Sequence, residues 1–580
     1  MKTRYTLSRA LVVERTWPVF LDLTVAGGLL AGFYAILWIA KFWFSSAIPE
    51  VEIYRSPSHL PLYAFYSTVR IFVAYLLSLG FAIGYGYIAA YNNRLEPLMI
   101  ATLDILQSIP VLSFLPGVML AMMSLFPTRQ LGIEFGAILL IFTGEVWNMA
   151  FSFYSSLKSI PRELREACSV YRFSPLQRLF QLELPYATIG LVWNSMVSVA
   201  SGWFFLMVCE MFPVGSRNFR LPGLGSYLQT AASNGDYHAM TWGLIAMMLI
   251  VVLTDQLLWR PLIAWSDKFK FENVESTDRI TSPILHLIRN SQMLAVLQRH
   301  TVMPLGEAIY KGLAQREKRL EPGESDRGSS RRNTVLLIMA AVAAAAVVCV
   351  AAFHSLLLLR QVHLHNFVML LAGASATFLR VNVSLLLASA WTIPVGVMIG
   401  FNPKLASITQ PLAQIAASFP ATALFPVILV GLIQLGLGLG IGSVALMMLG
   451  TQWYILFNVI AGAMAIPSDL KEVSQLFHFT SLQRWTTVIL PGIFPFLITG
   501  LITASGGAWN ASIVAEYFHL KDRTLTTLGL GGQISAASDA GNFSILLAAT
   551  IIMALMVVTI NRLVWRPLYR LAETKYKLEG

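Results

Sequence analysis

The chain has 580 residues, 56% of them hydrophobic and only 12% charged, which excludes both an ordinary soluble domain and a disordered polymer. Its net charge of +11 sits in segments between apolar runs rather than over a soluble surface, so no nucleic-acid partner is expected.

In chain order, apolar runs long enough to cross a ~30 Å hydrocarbon core as helices fall at about 18–43, 66–91, 98–123, 133–157, 186–212, 239–265, 334–359, 370–400, 405–434, 438–465, 493–518 and 543–565. Twelve spans make an all-α, multi-pass membrane protein embedded in lipid. The first run is too long for a signal-peptide core and lacks a small-residue cleavage site, so it is expected to remain as a span. Placing the N-terminus in the cytosol puts about 30 of the Lys and Arg on that side and about 7 outside, the positive-inside asymmetry. Lys2, Arg4, Arg9 and Arg15 precede the first span, and Lys158, Arg162, Arg165, Arg172 and Arg178 crowd the loop before the fifth. Both termini are therefore expected in the cytosol.

The chain repeats itself. Ser67-Thr-Val-Arg70 aligns with Thr377-Phe-Leu-Arg380, Gly86 with Gly396, Pro110 with Pro420 and Pro116 with Pro426, all at an offset of 310. Beyond a four-residue deletion in an outer turn, Trp147, Trp203 and Glu210 match Trp453, Trp509 and Glu516 at an offset of 306. Two six-span halves of the same orientation follow, a parallel repeat about an axis along the membrane normal. The expected organisation is a first repeat over 1–265, a linker over 266–333 and a second repeat over 334–580. Within the linker, 282–320 shows partial helical periodicity suited to a membrane surface or to a loosely packed helix. The breaker-rich 321–332 stretch reads as a tether.

The best-preserved polar element is a loop that occurs in each half, at 158–185 and 466–491. Glu166 and Glu472 each stand 19 residues before the proline of a Leu-Pro pair, Leu184-Pro185 and Leu490-Pro491. Pro161 and Pro467 suit a first helical turn. After them Leu164, Ala167, Val170 and Tyr171, and likewise Leu470, Val473, Leu476 and Phe477, form an apolar stripe about two turns long. A second short helix, 175–182 or 481–488, should lead to the Leu-Pro that begins the next span. Two helices with an apolar stripe in an aqueous loop mark a docking surface rather than a connector.

The Glu…Leu-Pro spacing resembles the "EAA" loop of ABC importer permeases with the MetI-like type I fold. Leu103-Asp-Ile-Leu-Gln-Ser-Ile-Pro110…Leu115-Pro116, Gly202-Trp203…Cys209-Glu210, Ala508-Trp509…Ala515-Glu516 and Gly223-Leu-Gly225 resemble the branch that handles nitrate, sulfonate, taurine and bicarbonate. The resemblance implies a permease domain duplicated in one chain of the bacterial cytoplasmic (inner) membrane. It implies two cytosolic ATPase subunits docked on the loops, which use ATP and magnesium, and an extracytoplasmic binding protein that delivers a small anion. The family's loop glycine is replaced by Arg172 and His478. Both adopt a left-handed bend less readily than glycine, so either the turn differs or the loops suit a divergent, asymmetrically docked ATPase pair.

No phosphate-binding Gly-x-x-x-x-Gly-Lys-Ser/Thr occurs, nor any nucleophile–base or zinc motif, so the chain is not expected to be an enzyme, to bind a metal or to hold a cofactor. Arg70 and Arg380, near the outer ends of matching spans, are candidates for drawing an anion along a shared axis; snorkelling or helix–helix hydrogen bonding is the other reading. Glu210 and Glu516 suit either the outer mouth or a structural role, and Trp203 and Trp509 either substrate stacking or packing. Pro110, Pro116, Pro420 and Pro426 are expected to kink the third spans. A twelve-span transporter driven by an ion gradient is the alternative function.

Overall fold

The computed structural model describes residues 51–126, 129–214, 217–269, 352–520 and 523–575, with isolated positions between 339 and 350. The expected first span, nearly all of the linker and half of the run at 334–359 lie outside the described residues.

The first half contains α1 (Leu60–Tyr91), α2 (Glu96–Ser108), α3 (Leu115–Leu125), α4 (Arg129–Ser159), α5 (Arg162–Val170), α6 (Pro175–Arg178), α7 (Leu184–Cys209), a hairpin of β1 (Met211–Val214) and β2 (Arg217–Arg220), α8 (Leu224–Ser233), α9 (Tyr237–Thr254) and α10 (Arg260–Ser266). The second half repeats this order as α11 (Leu364–Phe401), α12 (Pro403–Ser418), α13 (Ala421–Gln434), α14 (Leu439–Ala465), α15 (Ser468–Leu476), α16 (Ser481–Arg484) and α17 (Leu490–Ala515). It closes with β3 (Tyr517–Leu520), β4 (Arg523–Thr526), α18 (Leu530–Asp539), α19 (Phe543–Ile560) and α20 (Arg566–Lys575). Among the described residues, eight helices are long and apolar enough to cross a membrane, or nine if α2 and α3 form one broken span. The α5 loop lies at one end of the bundle, the loop end, and the β-hairpins at the other, the hairpin end.

Three features depart from the expected elements. First, the third spans are not single kinked helices. α2 and the segment from Val111 to Met123 meet at 83°, and α12 likewise stops before Pro420. The residue before a proline is disfavoured in the helical region, and Ile109 and Phe419 are accordingly extended, with ψ of 129° and 120°. Second, the second short helix of each loop is not separate: residues Pro175–Cys209 and Ser481–Ala515 each run as one 35-residue rod. Pro185 and Pro491 have no N–H to give, and the helix passes them through a π turn, in which Leu184 N–H donates to Leu179 O. Further π turns precede Pro261 and Pro567. Third, each half carries a short antiparallel hairpin directly after Glu210 or Glu516, pairing Met211 with Arg220 and Tyr517 with Thr526.

Within lipid there is little hydrophobic force between helices, so close approach of small residues drives packing. A Cβ at Gly86 would lie 2.9 Å from Phe153 Cδ1, and one at Gly396 2.8 Å from Val459 Cγ1. These matching glycines let α1 meet α4 and α11 meet α14. The halves interlock through their broken elements: α12 and α13 lie against α7, while α2 and the turn after it lie against α19 and α17. One buried cluster consequently runs through both halves. Ser201 Oγ and Tyr454 Oη, 3.1 Å apart, meet across the junction, and Arg566 pairs with Asp104.

Candidate functional site

At the loop end, α5 and α15 project from the bundle. Both end in the same turn. Phe173 N–H donates to Cys168 O at 2.9 Å and Phe479 N–H to Ser474 O at 3.1 Å, the six-to-one bond of a Schellman cap. Arg172 and His478 occupy its left-handed position, with φ of 52° and 49°. The bend that glycine normally supplies is thus kept by Arg and His, against the steric preference of both. The two copies share this turn. The next residues form a capping box in each copy, Ser174 with Gln177 and Thr480 with Gln483, which starts the long rod.

The stripe is exposed at its tip. Val170 and Tyr171 are 79% and 75% accessible, and Leu476 and Phe477 78% and 72%. Glu166, Ala167, Glu472 and Val473 are also exposed, whereas Leu164 is half-buried and Cys168 and Ser474 face the bundle. Pro161 and Pro467 precede the helices rather than entering them. The two loops are anchored unequally. In the first half Glu183 accepts from Arg178 Nε at 2.7 Å and from Tyr91 Oη at 2.5 Å, and the Arg178 guanidinium lies 4.3 Å over the Tyr91 ring. The second half keeps only the stacking, Arg484 at 5.8 Å over Phe401, because Ile489 replaces Glu183.

The residues expected along a pathway are held in ion pairs or packed inside the bundle. Arg70, 3% exposed, donates from Nη1 to Glu210 Oε1 at 2.6 Å and clasps Glu134 through Nε at 2.5 Å and Nη2 at 2.6 Å. Ser67 Oγ donates to Glu210 and accepts from Leu224 N–H, and Gly225 N–H donates to Glu210 Oε2 at 2.6 Å. This cage staples α1, α4 and α7 to the start of α8. Gly223 is required there, since a Cβ would stand 2.2 Å from both Glu210 oxygens. In the second half Arg380 Nη1 binds Glu516 at 2.8 Å and Leu528 O at 2.7 Å, while Nη2 donates to Thr527 Oγ1. Glu134 has no counterpart; Gly440 stands at its position. Trp203 and Trp509 are 2% and 1% exposed. The six residues are occupied in holding each half together, and none lines either cavity described below, because charges within a low-dielectric bundle are held by neutralising one another.

Two polar features were not singled out in the sequence. Glu145, in the middle of α4, is fully buried, and neither carboxylate oxygen has a hydrogen-bond partner. It fits only because position 202 is glycine: a Cβ there would be 2.2 Å from Oε1. Tyr75 and Ser78 on α1 lie nearby, with Ser195 of α7 hydrogen-bonded to Tyr75, and the residues matched to Tyr75, Ser78, Glu145 and Ser195 in the second half are Leu385, Ala388, Thr451 and Leu501. Comparing the repeats position by position would have exposed this difference. The second feature is a cleft of about 310 Å³ among α2, α4 and α7 toward the loop end. At the hairpin end a smaller apolar cavity of about 120 Å³, lined by Leu112, Met207, Pro426 and Phe518 among others, lies where the halves meet.

A duplicated helical bundle, interlocked where its halves meet and carrying paired exposed turns, defines a multi-pass membrane protein of permease type. The chain belongs to the family of binding-protein-dependent transport system inner membrane components, whose pattern it matches twice, over residues 82–258 and 392–565, together more than half its length. It is 26% identical over 190 residues to the nitrate import permease protein NrtB of Leptolyngbya laminosa, covering 33% of this chain and 64% of that one. It is 29% identical over 141 residues to the bicarbonate transport system permease protein CmpB of Synechococcus elongatus, covering 24% and 49%. It is 25% identical over 182 residues to the taurine transport system permease protein TauC of Escherichia coli, covering 31% and 62%. The chain spans about half to two thirds of the length of these relatives.

Proposed function

We propose that the chain is the fused permease subunit of an ATP-driven importer that moves a small anion, of the nitrate, sulfonate, taurine or bicarbonate type, into the cytoplasm. In this reading it lies in the bacterial cytoplasmic membrane with both termini and both Glu…Leu-Pro loops in the cytosol. Each loop seats one ATPase subunit, where ATP and magnesium are used, and a binding protein delivers the anion at the hairpin end. The chain itself holds no cofactor and catalyses nothing.

The observation that carries the reading is the pair of exposed apolar turns, Val170-Tyr171 and Leu476-Phe477, each followed, after a tight left-handed turn, by a 35-residue rod. A helix end that leaves two large apolar side chains in water lacks a partner, and the rod beyond it transmits any movement of that partner across the membrane. The cleft opens toward the loop end within the first half, and the halves meet through Thr550 Oγ1, which donates to Ser113 O, and through Arg566 and Asp104. The chain divides functionally as 1–265, 266–333 and 334–580.

The test is co-purification of the ATPase with Glu166→Lys and Glu472→Lys variants, alone and combined. The double variant should lose the ATPase and uptake while unfolding at the wild-type temperature. Full ATPase retention by the double variant would remove the docking assignment. Uptake abolished by a protonophore but indifferent to ATP would instead favour the ion-gradient transporter, for which Glu145, buried in α4, is a candidate acid among the described residues.

A further inference from the structure

The cleft toward the loop end is one-sided. Gln107, Asn148, Ser152, Ser155, Ser156 and Asn194 line it, with Ser159 at its mouth. The serines fall at i, i+3, i+4 and i+7 on α4, so they share one helical face. No charged residue lines the cleft. The repeat provides an internal control, because every one of these positions has a counterpart: Ala417, Tyr454, Asn458, Ala461, Gly462 and Gly500. The second half has exchanged hydroxyls and amides for small or aromatic groups at all but one of them.

It has also filled the space. Gly190 faces the serines: a Cβ there would stand 2.9 Å from Ser152 Oγ and 3.3 Å from Ser156 Oγ. At the matched position the second half has Phe496, whose Cβ and ring carbon lie 3.0 and 3.2 Å from where a Cβ on Gly462 would be. Ser156–Gly190 in one half thus becomes Gly462–Phe496 in the other: open and polar against closed and apolar.

One contact across the halves lies on the same helix as the cleft. Tyr454, the counterpart of Asn148, reaches Ser201 of the opposite half. Asn194 lies seven residues before Ser201 on α7, two turns nearer the loop end on nearly the same face. From Asn148 to Ser159 the lining extends for about 16 Å along α4, from near mid-span to the loop end.

We infer that this first-half cleft is a transit site for the transported solute, a small oxyanion held by neutral hydroxyl and amide donors, and that the second half contributes a closed wall rather than a second site. The inference rests on the permease reading. Uncharged donors suit transit: they replace part of an oxyanion's hydration without trapping it, whereas a guanidinium would bind it tightly. Arg70 and Arg380 are meanwhile committed to carboxylates, and the cleft offers a neutral polar surface for passage.

The experiment transplants the second half's solution into the first. Ser156→Gly with Gly190→Phe reproduces a pair that already packs in the same fold. The complex, reconstituted with its ATPase and binding protein, is offered labelled nitrate, bicarbonate and taurine in turn. Expected is at least a tenfold fall in uptake, on the order of what a filled passage imposes, with ATPase subunits still bound and ATP hydrolysis still stimulated by the loaded binding protein. The milder Ser155→Ala, at an exposed position, should raise the KM for uptake by about fivefold, one net hydrogen bond, and serves where the transplant does not assemble. Wild-type uptake by the transplant, or by Ser155→Ala if that alone assembles, overturns the transit site. Failure of the wild-type chain to bind any ATPase overturns the permease reading instead, so the two failures are distinguishable.

Discussion

Replacing Gly202 by alanine tests the packing around Glu145. The added Cβ would meet Glu145 Oε1 at 2.2 Å and Cδ at 3.2 Å, well inside van der Waals contact. Glu145 is fully enclosed, so its carboxylate can yield only by displacing neighbours; because the clash is with the end of a flexible side chain, the cost lies in the lower part of the overpacking range, about 1–2 kcal/mol. Glu145→Thr removes a buried, unpartnered carboxyl and leaves a small void, two effects that oppose each other and should leave stability within about 1 kcal/mol of wild type. The double variant recreates the Thr451–Ala508 pair of the second half, in which Thr451 Oγ1 donates to its own helix at Met447 O, 2.8 Å away. Gly202→Ala should therefore cost almost nothing once residue 145 is threonine. The assay is a double-mutant cycle by equilibrium unfolding in mixed micelles, with a coupling energy of about 1–2 kcal/mol expected. Additivity within about 0.5 kcal/mol would refute the seating of the carboxylate on Gly202.

Two further outcomes follow from the same geometry. Arg70→Met strands Glu134 and Glu210 together and should cost about 3–5 kcal/mol; Arg380→Met strands only Glu516 and should cost less, a ranking that thermal unfolding of the two variants would read directly. Arg172→Gly and His478→Gly relieve left-handed backbone strain and should each stabilise the fold by up to about 1 kcal/mol, with a loss of stability at either position showing that the side chain, not the bend, is what the loop needs.

Much of the architecture is legible in the sequence because membrane burial writes itself as length. Apolar runs locate the spans, and the doubled Glu…Leu-Pro spacing locates the loops to within a residue or two of α5 and α15. Legibility fails where backbone geometry intervenes. Pro185 and Pro491 look like helix starts, yet a π turn carries the helix past them; Pro110 and Pro420 look like kinks, yet the extended residue before each breaks the span. Arg172 and His478 cannot reveal from side-chain type that their backbone is left-handed. The matched positions 145/451, 202/508 and 190/496 carried a readable signal, since paired differences between repeats mark a contact, but only the fold shows which differences touch.

The sequence alone thus determined the duplication, the membrane class and the paired turns, because periodicity, hydropathy and spacing are local properties. What Arg70, Glu210 and their counterparts do was decided by tertiary structure. Whether a buried charge faces a passage or another charge depends on residues 64 and 140 positions away in the chain, and one-dimensional spacing does not encode that distance.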